Sequence, residues 1–230
     1  MLSTVKYQVY GGVDAEALTV NAAVDATAGL VIRYGGLLVD APYFSSCGGR
    51  TAKPTEVWHE ARDEPYLPGV EDMNPATGRP YCDISPRATW TADFDESALT
   101  NIVMRHLRAD GAQNPTAGSV TGLKVDERSA SGRVSSMQVN TERGDVELSA
   151  AEIRSVFRDA RGAILSSTYF SVDRESREHG RLTGVTFRGT GNGHGVGMCQ
   201  WGAIGRARAG QDFRTILSHY YPGTVVGFVD

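Results

Sequence analysis

Val120-Thr-Gly-Leu-Lys-Val125, Val134-Ser-Ser-Met-Gln-Val139 and Asp145-Val-Glu-Leu148 are three short runs in which apolar and polar residues alternate. A period of two is the signature of a strand with one buried face. Ser131-Gly132 and Arg143-Gly144 between the runs supply the turns of a three-stranded meander. Upstream, Phe94 to Arg108 carries Leu99, Ile102, Val103 and Leu107 at helical spacing, an apolar stripe. Downstream, Ser149 with Glu152 three residues later forms a capping box that opens a helix through Phe157. Helix, meander and helix can bury a core of their own, which sets the fold class as α+β.

Working outward, Val5, Tyr7 and Val9 alternate with polar neighbours as a first strand, and Val20 to Gly29 reads as a short helix closed by Gly29. Leu30 to Tyr34 and Leu37 to Phe44 flank Gly35-Gly36, a pair that tolerates positive φ and so marks a hairpin. Six prolines between Ala52 and Trp90 break regular structure there, and the aromatics among them predict a packed loop. Asp173 to Arg181 reads as a polar link. Gly189, Gly191, Gly193, Gly195 and Gly197 recur every second residue, which in an extended chain strips one face and lets another backbone or a ligand come close. Helices follow at Gln200 to Ala209 and Phe213 to His219, the second capped by Asp212.

The chain has 230 residues, 40% hydrophobic and 22% charged, which excludes a disordered or fibrous protein. Its net charge of -4 argues against a nucleic-acid partner. No apolar run approaches the length of a membrane span, and Met1 to Lys6 does not open a signal peptide. Cys47, Cys82 and Cys199 show no metal spacing and no accompanying histidine pair, so no metal and no cofactor is expected. One bonded pair plus a thiol, or three free buried thiols, both remain open on spacing alone.

Gly193-His-Gly-Val-Gly-Met-Cys-Gln-Trp-Gly-Ala203, followed by Ile216-Leu-Ser-His-Tyr-Tyr-Pro-Gly-Thr224, resembles the stage II sporulation protein D (SpoIID) family, which includes the amidase enhancer LytB. Gln8-Val-Tyr-Gly-Gly12, Tyr43-Phe-Ser-Ser-Cys-Gly-Gly49 and Pro65-Tyr-Leu-Pro-Gly-Val70 fall in the family's order, so the resemblance covers nearly the whole chain. It implies a SpoIID-like core domain over 1–93 and 180–230, with a smaller α+β domain inserted at 94–179. It implies a partner, the glycan strands of peptidoglycan, and lytic transglycosylase cleavage that leaves 1,6-anhydro-muramic ends. One carboxylic acid would serve there as acid and then base. The alternative is a non-catalytic, LytB-like partner of a cell-wall amidase. Either role implies an extracytoplasmic location. The family's catalytic glutamate lies in a segment of the type Gly-Val-Val-x-x-Glu-Met-Pro that these residues do not contain. The expectation is therefore the later part of a longer exported enzyme, or an inactive binding paralogue.

The resemblance places substrate contacts at Tyr43, Ser45, Ser46, His194, Gln200, Tyr220 and Tyr221, with one of the adjacent tyrosines in the core. His194 has two readings, proton transfer or a structural side chain that also touches ligand, and the second is favoured for want of a carboxylate motif beside it. Gln200 either binds an N-acetyl group or caps its helix. Glu16, Glu56 and Glu60 read as solvated surface groups. The family context also implies a Cys47–Cys82 disulfide, with Cys199 left as a small buried residue.

Overall fold

A computed structural model describes residues 11–109, 111, 116, 118–158 and 162–229. The strand expected at Val5 to Val9 lies outside them. The chain divides into two compact units, one from the segments before Asp40 and after Thr224, the other from Asp40 to Thr224.

In the smaller unit, helix α1 (Leu18–Ala26) is followed by β1 (Leu30–Tyr34) and β2 (Leu37–Leu38). Gly35 and Gly36, at φ 58° and 86°, make the expected hairpin turn. The second arm is shorter than its apolar run, because the chain leaves the sheet after Leu38. β13 (Val225–Phe228) pairs antiparallel with the other edge of β1.

The larger unit begins with the two-residue strand β3 (Tyr43–Phe44). The proline-rich loop then holds 3-10 turns at Pro54–Glu56 and Tyr81–Ile84 and a small ladder of β4 (Met73–Asn74) with β5 (Arg79–Pro80). It is packed as expected, with Tyr66, Leu67 and Tyr81 buried. Next come β6 (Thr89–Asp95), α2 (Glu96–Ala109), the meander β7 (Val120–Arg128), β8 (Val134–Thr141) and β9 (Val146–Ser149), and α3 (Ala150–Val156). The capping box is present, with the Glu152 carboxylate accepting from the Ser149 N–H at 2.9 Å.

β10 (Phe170–Glu178) and β11 (Arg181–Thr190) form a long hairpin, and β6 pairs with the far edge of β11. The polar link expected at Asp173 to Arg181 is thus the outer end of that hairpin. Its β10 arm stays polar because both faces of that strand are open to water from Asp173 to Glu178, whereas β11 buries Leu182 and Val185. Its turn is His179-Gly180, both at positive φ. One apolar cluster unites this sheet, the meander and both helices, and its aromatic centre is Phe94, Phe157, Phe170 and Phe187.

β12 (Met198–Cys199), α4 (Gln200–Arg208) and α5 (Phe213–Tyr220) complete the unit. α5 is capped as expected, the Asp212 carboxylate accepting from the Thr215 N–H at 2.7 Å. α4 lies against the Tyr81–Ile84 turn. A Cβ on Gly205 would stand 2.1 Å from the Tyr81 carbonyl oxygen. Alanine in a helix normally gains about 1 kcal/mol over glycine, but here overpacking should win and Gly205→Ala should destabilise by about 1–3 kcal/mol. Urea denaturation checks the sign. A variant as stable as the parent would mean that α4 can slide away from the turn.

Candidate functional site

Gly189 lies in β11, but the alternating glycines after it are not an extended strand. Gly191, Gly193, Gly195 and Gly197 all have positive φ, so the segment folds as a loop laid against the chain from Pro42 to Ala52. A Cβ at Gly197 would lie 2.0 Å from the Pro42 carbonyl oxygen, and one at Gly195 would lie 2.6 Å from Arg133 Nε. The close backbone approach read from the sequence is therefore present, and it is another stretch of the same chain that approaches. β12 pairs in parallel with β3, and bridges join Ser46 to Asn192 and Ala52 to Val196.

This apposition fixes His194. Its Nδ1 accepts from the Val196 N–H at 3.1 Å, so the ring proton is on Nε2, which donates to the Tyr43 carbonyl at 3.0 Å. The ring lies between Phe44 and Trp58, at centroid distances of 5.3 and 5.1 Å. Burial, and then the charges of Arg154 and Arg133, push its pKa down to about 4 against the opposing Tyr43 hydrogen bond. His194 is a neutral imidazole with both nitrogens engaged, which suits a positioned contact surface and not a proton shuttle.

Tyr43 is 36% and Trp58 40% exposed, so two aromatic side chains open to water come from the segments that hold this histidine. The sequence does not disclose Trp58, because its proline-rich loop gives no register to say which way it points. Gln200 is exposed at the start of α4, and Ser45 is half-buried, its carbonyl accepting from the Trp201 N–H at 3.0 Å. Three other expected contacts lie in the interior. Ser46, Tyr220 and Tyr221 are each 1% exposed. The Tyr220 hydroxyl donates to Asp72 Oδ2 at 2.8 Å and the Tyr221 hydroxyl to the Pro42 carbonyl at 2.7 Å. Both tyrosines are thus spent on internal hydrogen bonds, and neither offers a face to a sugar. Glu56 is no solvated surface group either. Burial alone would raise its pKa, but hydrogen bonds from Ser129, Ser131 and the Lys53 N–H together hold it below the usual value. Its Oε2 accepts from the Ser131 N–H at 3.1 Å, tying the loop to the meander.

Beneath this surface all three cysteines are buried and unbonded, and the Cys47 and Cys82 sulfurs lie 3.5 Å apart. Cys199 joins them instead of standing aside. The three sulfurs and a carboxylate oxygen of Asp72 lie within 4.8 Å of one another. This is a metal-ligand grouping that the linear spacing had excluded, because four distant segments supply it. Hydrogen bonds from Cys199 and Cys47 hold the Cys82 pKa down to about 2, while burial raises those of Cys47 and Cys199.

Residues 83–197 match the family described as "Domain of unknown function (DUF8618)". The amidase enhancer of Bacillus subtilis (strain 168) is 32% identical over 97% of this chain, which spans 34% of that protein. An uncharacterized protein of Brachyspira hyodysenteriae is also 32% identical, over 96% of this chain and 52% of its own length. The stage II sporulation protein D of Bacillus subtilis is 26% identical over 90% of this chain and 51% of its own length. The chain belongs to the SpoIID/LytB family. It spans between about a third and a half of the length of these curated relatives. Within the SpoIID/LytB chain, the Gly193–Ala203 stretch that carries the resemblance is the loop that immobilises His194 and then opens α4.

The histidine's environment sets a pH dependence. Between pH 6.5 and about 4 the unfolded chain takes up a proton on this residue that the folded chain refuses. Its contribution to stability is therefore full above pH 6.5 and is lost as the pH falls toward 4. In an NMR titration the His194 ring should stay neutral from roughly pH 8 to 5.5, and His194→Gln should flatten this part of the acid limb. A midpoint near 6.5 would contradict the assigned hydrogen bonds.

Proposed function

We propose that this chain is the glycan-recognising part of a cell-wall protein and binds peptidoglycan strands through the surface around His194. The names of its relatives, an amidase enhancer and a sporulation protein, support a cell-wall-related role. Among the described residues, no helix is long and apolar enough to cross a membrane. We read the location as extracytoplasmic, where those strands lie.

The observation that carries the reading is the exposure of Tyr43 and Trp58 about a neutral, immobilised imidazole. A sugar ring presents an apolar C–H face and a rim of hydroxyls. A flat aromatic ring covers the first, and a rigid frame of polar groups orients the second. Gln200 and the Ser45 hydroxyl are the polar groups offered from the same segments. Where a carboxylic acid stands beside the bound strand, a lytic transglycosylase step would cut it. There a carboxylic acid protonates the glycosidic oxygen and the muramic acid 6-hydroxyl attacks the anomeric carbon, closing the 1,6-anhydro ring. His194 takes no part in that proton transfer, since its nitrogens are occupied.

A second reading, a partner that stimulates a cell-wall amidase, is favoured by the higher identity to the amidase enhancer, 32% against 26%. Two measurements separate them. Co-sedimentation with peptide-free glycan strands should retain the chain, and Trp58→Ala should weaken retention about tenfold, the loss expected for truncating an aromatic anchor. Trp58→Phe should keep most of it. Retention that is absent, or indifferent to Trp58, sinks glycan recognition at this surface. A cell-wall amidase whose rate on intact sacculi does not change when the chain is added sinks the partner reading.

A further inference from the structure

The Cys47, Cys82, Cys199 and Asp72 side chains are 0 to 1% exposed and come from four separate segments. Cys47 lies in the turn after β3, Asp72 just before β4, Cys82 in a 3-10 turn and Cys199 at the head of α4. A zinc-type ion bound at about 2.3 Å from sulfur sets tetrahedral ligands about 3.8 Å apart. Cys47 and Cys82 are already at 3.5 Å, and Cys47 Sγ is 3.3 Å from Asp72 Oδ2.

The surroundings are built for anionic sulfur. The Gly49 N–H donates to Cys47 Sγ at 3.3 Å, and the Cys47 and Gly202 N–H groups each donate to Cys199 Sγ at 3.2 Å. A neutral thiol is a weak acceptor and gains little from such donors, whereas a metal-bound thiolate gains much. Asp72 is oriented from behind, with Arg206 Nε on Oδ1 at 2.9 Å and the Tyr220 hydroxyl on Oδ2 at 2.8 Å. A Cβ on Gly202 would come within 2.1 Å of that carboxylate, so residue 202 leaves it room.

Arg133 is a second buried cation, 2% exposed. It donates to the Cys47 carbonyl at 3.2 Å, has an unpartnered Nε, and forms no ion pair among the described residues. Three thiolates and one carboxylate, with a divalent cation and the two arginines, come to zero net charge, which suits a site closed to water. A disulfide between Cys47 and Cys82 would account for two of the four groups and leave the N–H-solvated Cys199 sulfur without a purpose.

We propose that Cys47, Cys82, Cys199 and Asp72 bind one zinc-class divalent ion in a closed, four-ligand structural site. The thiol protons leave to solvent as the ion enters, Asp72 binds as the carboxylate, and no redox change occurs. With no open coordination position the ion does no chemistry on a substrate. It staples the Cys47–Gly49 turn, the Tyr81–Ile84 turn and the start of α4 under the His194 loop.

The full chain, stripped with a chelator under reducing conditions, should be titrated with Co²⁺ alone. One equivalent should produce a thiolate-to-cobalt charge-transfer band and the intense visible bands of a tetrahedral site, and Zn²⁺ should abolish both. Cys199→Ser and Asp72→Asn should weaken binding by at least roughly 10–100-fold, with far-ultraviolet circular dichroism confirming that the variants fold. Because the parent chain gives the primary readout, a variant that fails to fold leaves the result intact. Thiol counting in denaturant with chelator and without reductant should find three thiols. A count of one, meaning a Cys47–Cys82 disulfide, overturns the proposal. So do three thiols in a folded chain that gives no tetrahedral cobalt spectrum.

Discussion

The ion pair between Asp72 and Arg206 is the constraint around which the larger unit is arranged. Both side chains are buried, and Asp72 carries no exposure at all. Removing either member would leave a charge stranded in the interior, at about 3–5 kcal/mol. The pair is dense in further contacts. The Arg206 guanidinium lies over the Tyr81 ring at 4.4 Å and reaches His219 Nε2 at 2.7 Å. His219 is kept neutral by burial first and by Arg206 second, which leaves its nitrogen free to accept that hydrogen bond. One charged contact thereby aligns the proline-rich loop, α4 and α5, and α4 begins at the cysteine that closes the buried thiol cluster.

How far the sequence discloses this depends on the range of the interaction. The Gly35-Gly36 hairpin, the Ser149–Glu152 capping box, the three meander strands and the Asp212 cap are local, and each was legible because its partners lie within a few residues. β6 was missed although its burial alternates along Thr89–Asp95, because Pro86 and the helical stripe after Phe94 drew its two ends into neighbouring elements. The outer half of β10 was missed for the opposite reason. With water on both faces it has no apolar period to read.

The candidate site was half legible. The glycine stretch announced a close approach, and His194, Tyr43 and Gln200 do sit where an outside molecule can reach their segments. The sequence could not say that Tyr220 and Tyr221 both turn inward, since adjacent residues at a helix end point to different sides and two different acceptors had to be waiting for them. Nor could it connect Cys199 to Cys47, 152 residues away. Asp72 and Arg206 carry no motif at all, and their importance exists only in three dimensions.

The pairing of β3 with β12 has a consequence for the order in which the molecule can assemble. Two-residue strands in parallel cannot hold together on their own, and closing a chain loop of that length costs entropy before any contact rewards it. β6 with β11 meets that cost in advance. Their register ends at Thr89 with Thr190, and the Gly191 N–H already donates to the Ala88 carbonyl. Once the phenylalanine-centred core has formed, the glycine loop is delivered to within a few residues of its partner segment. The His194 surface thus rests on two segments that the β6–β11 pairing brings together, and its integrity reports on that pairing.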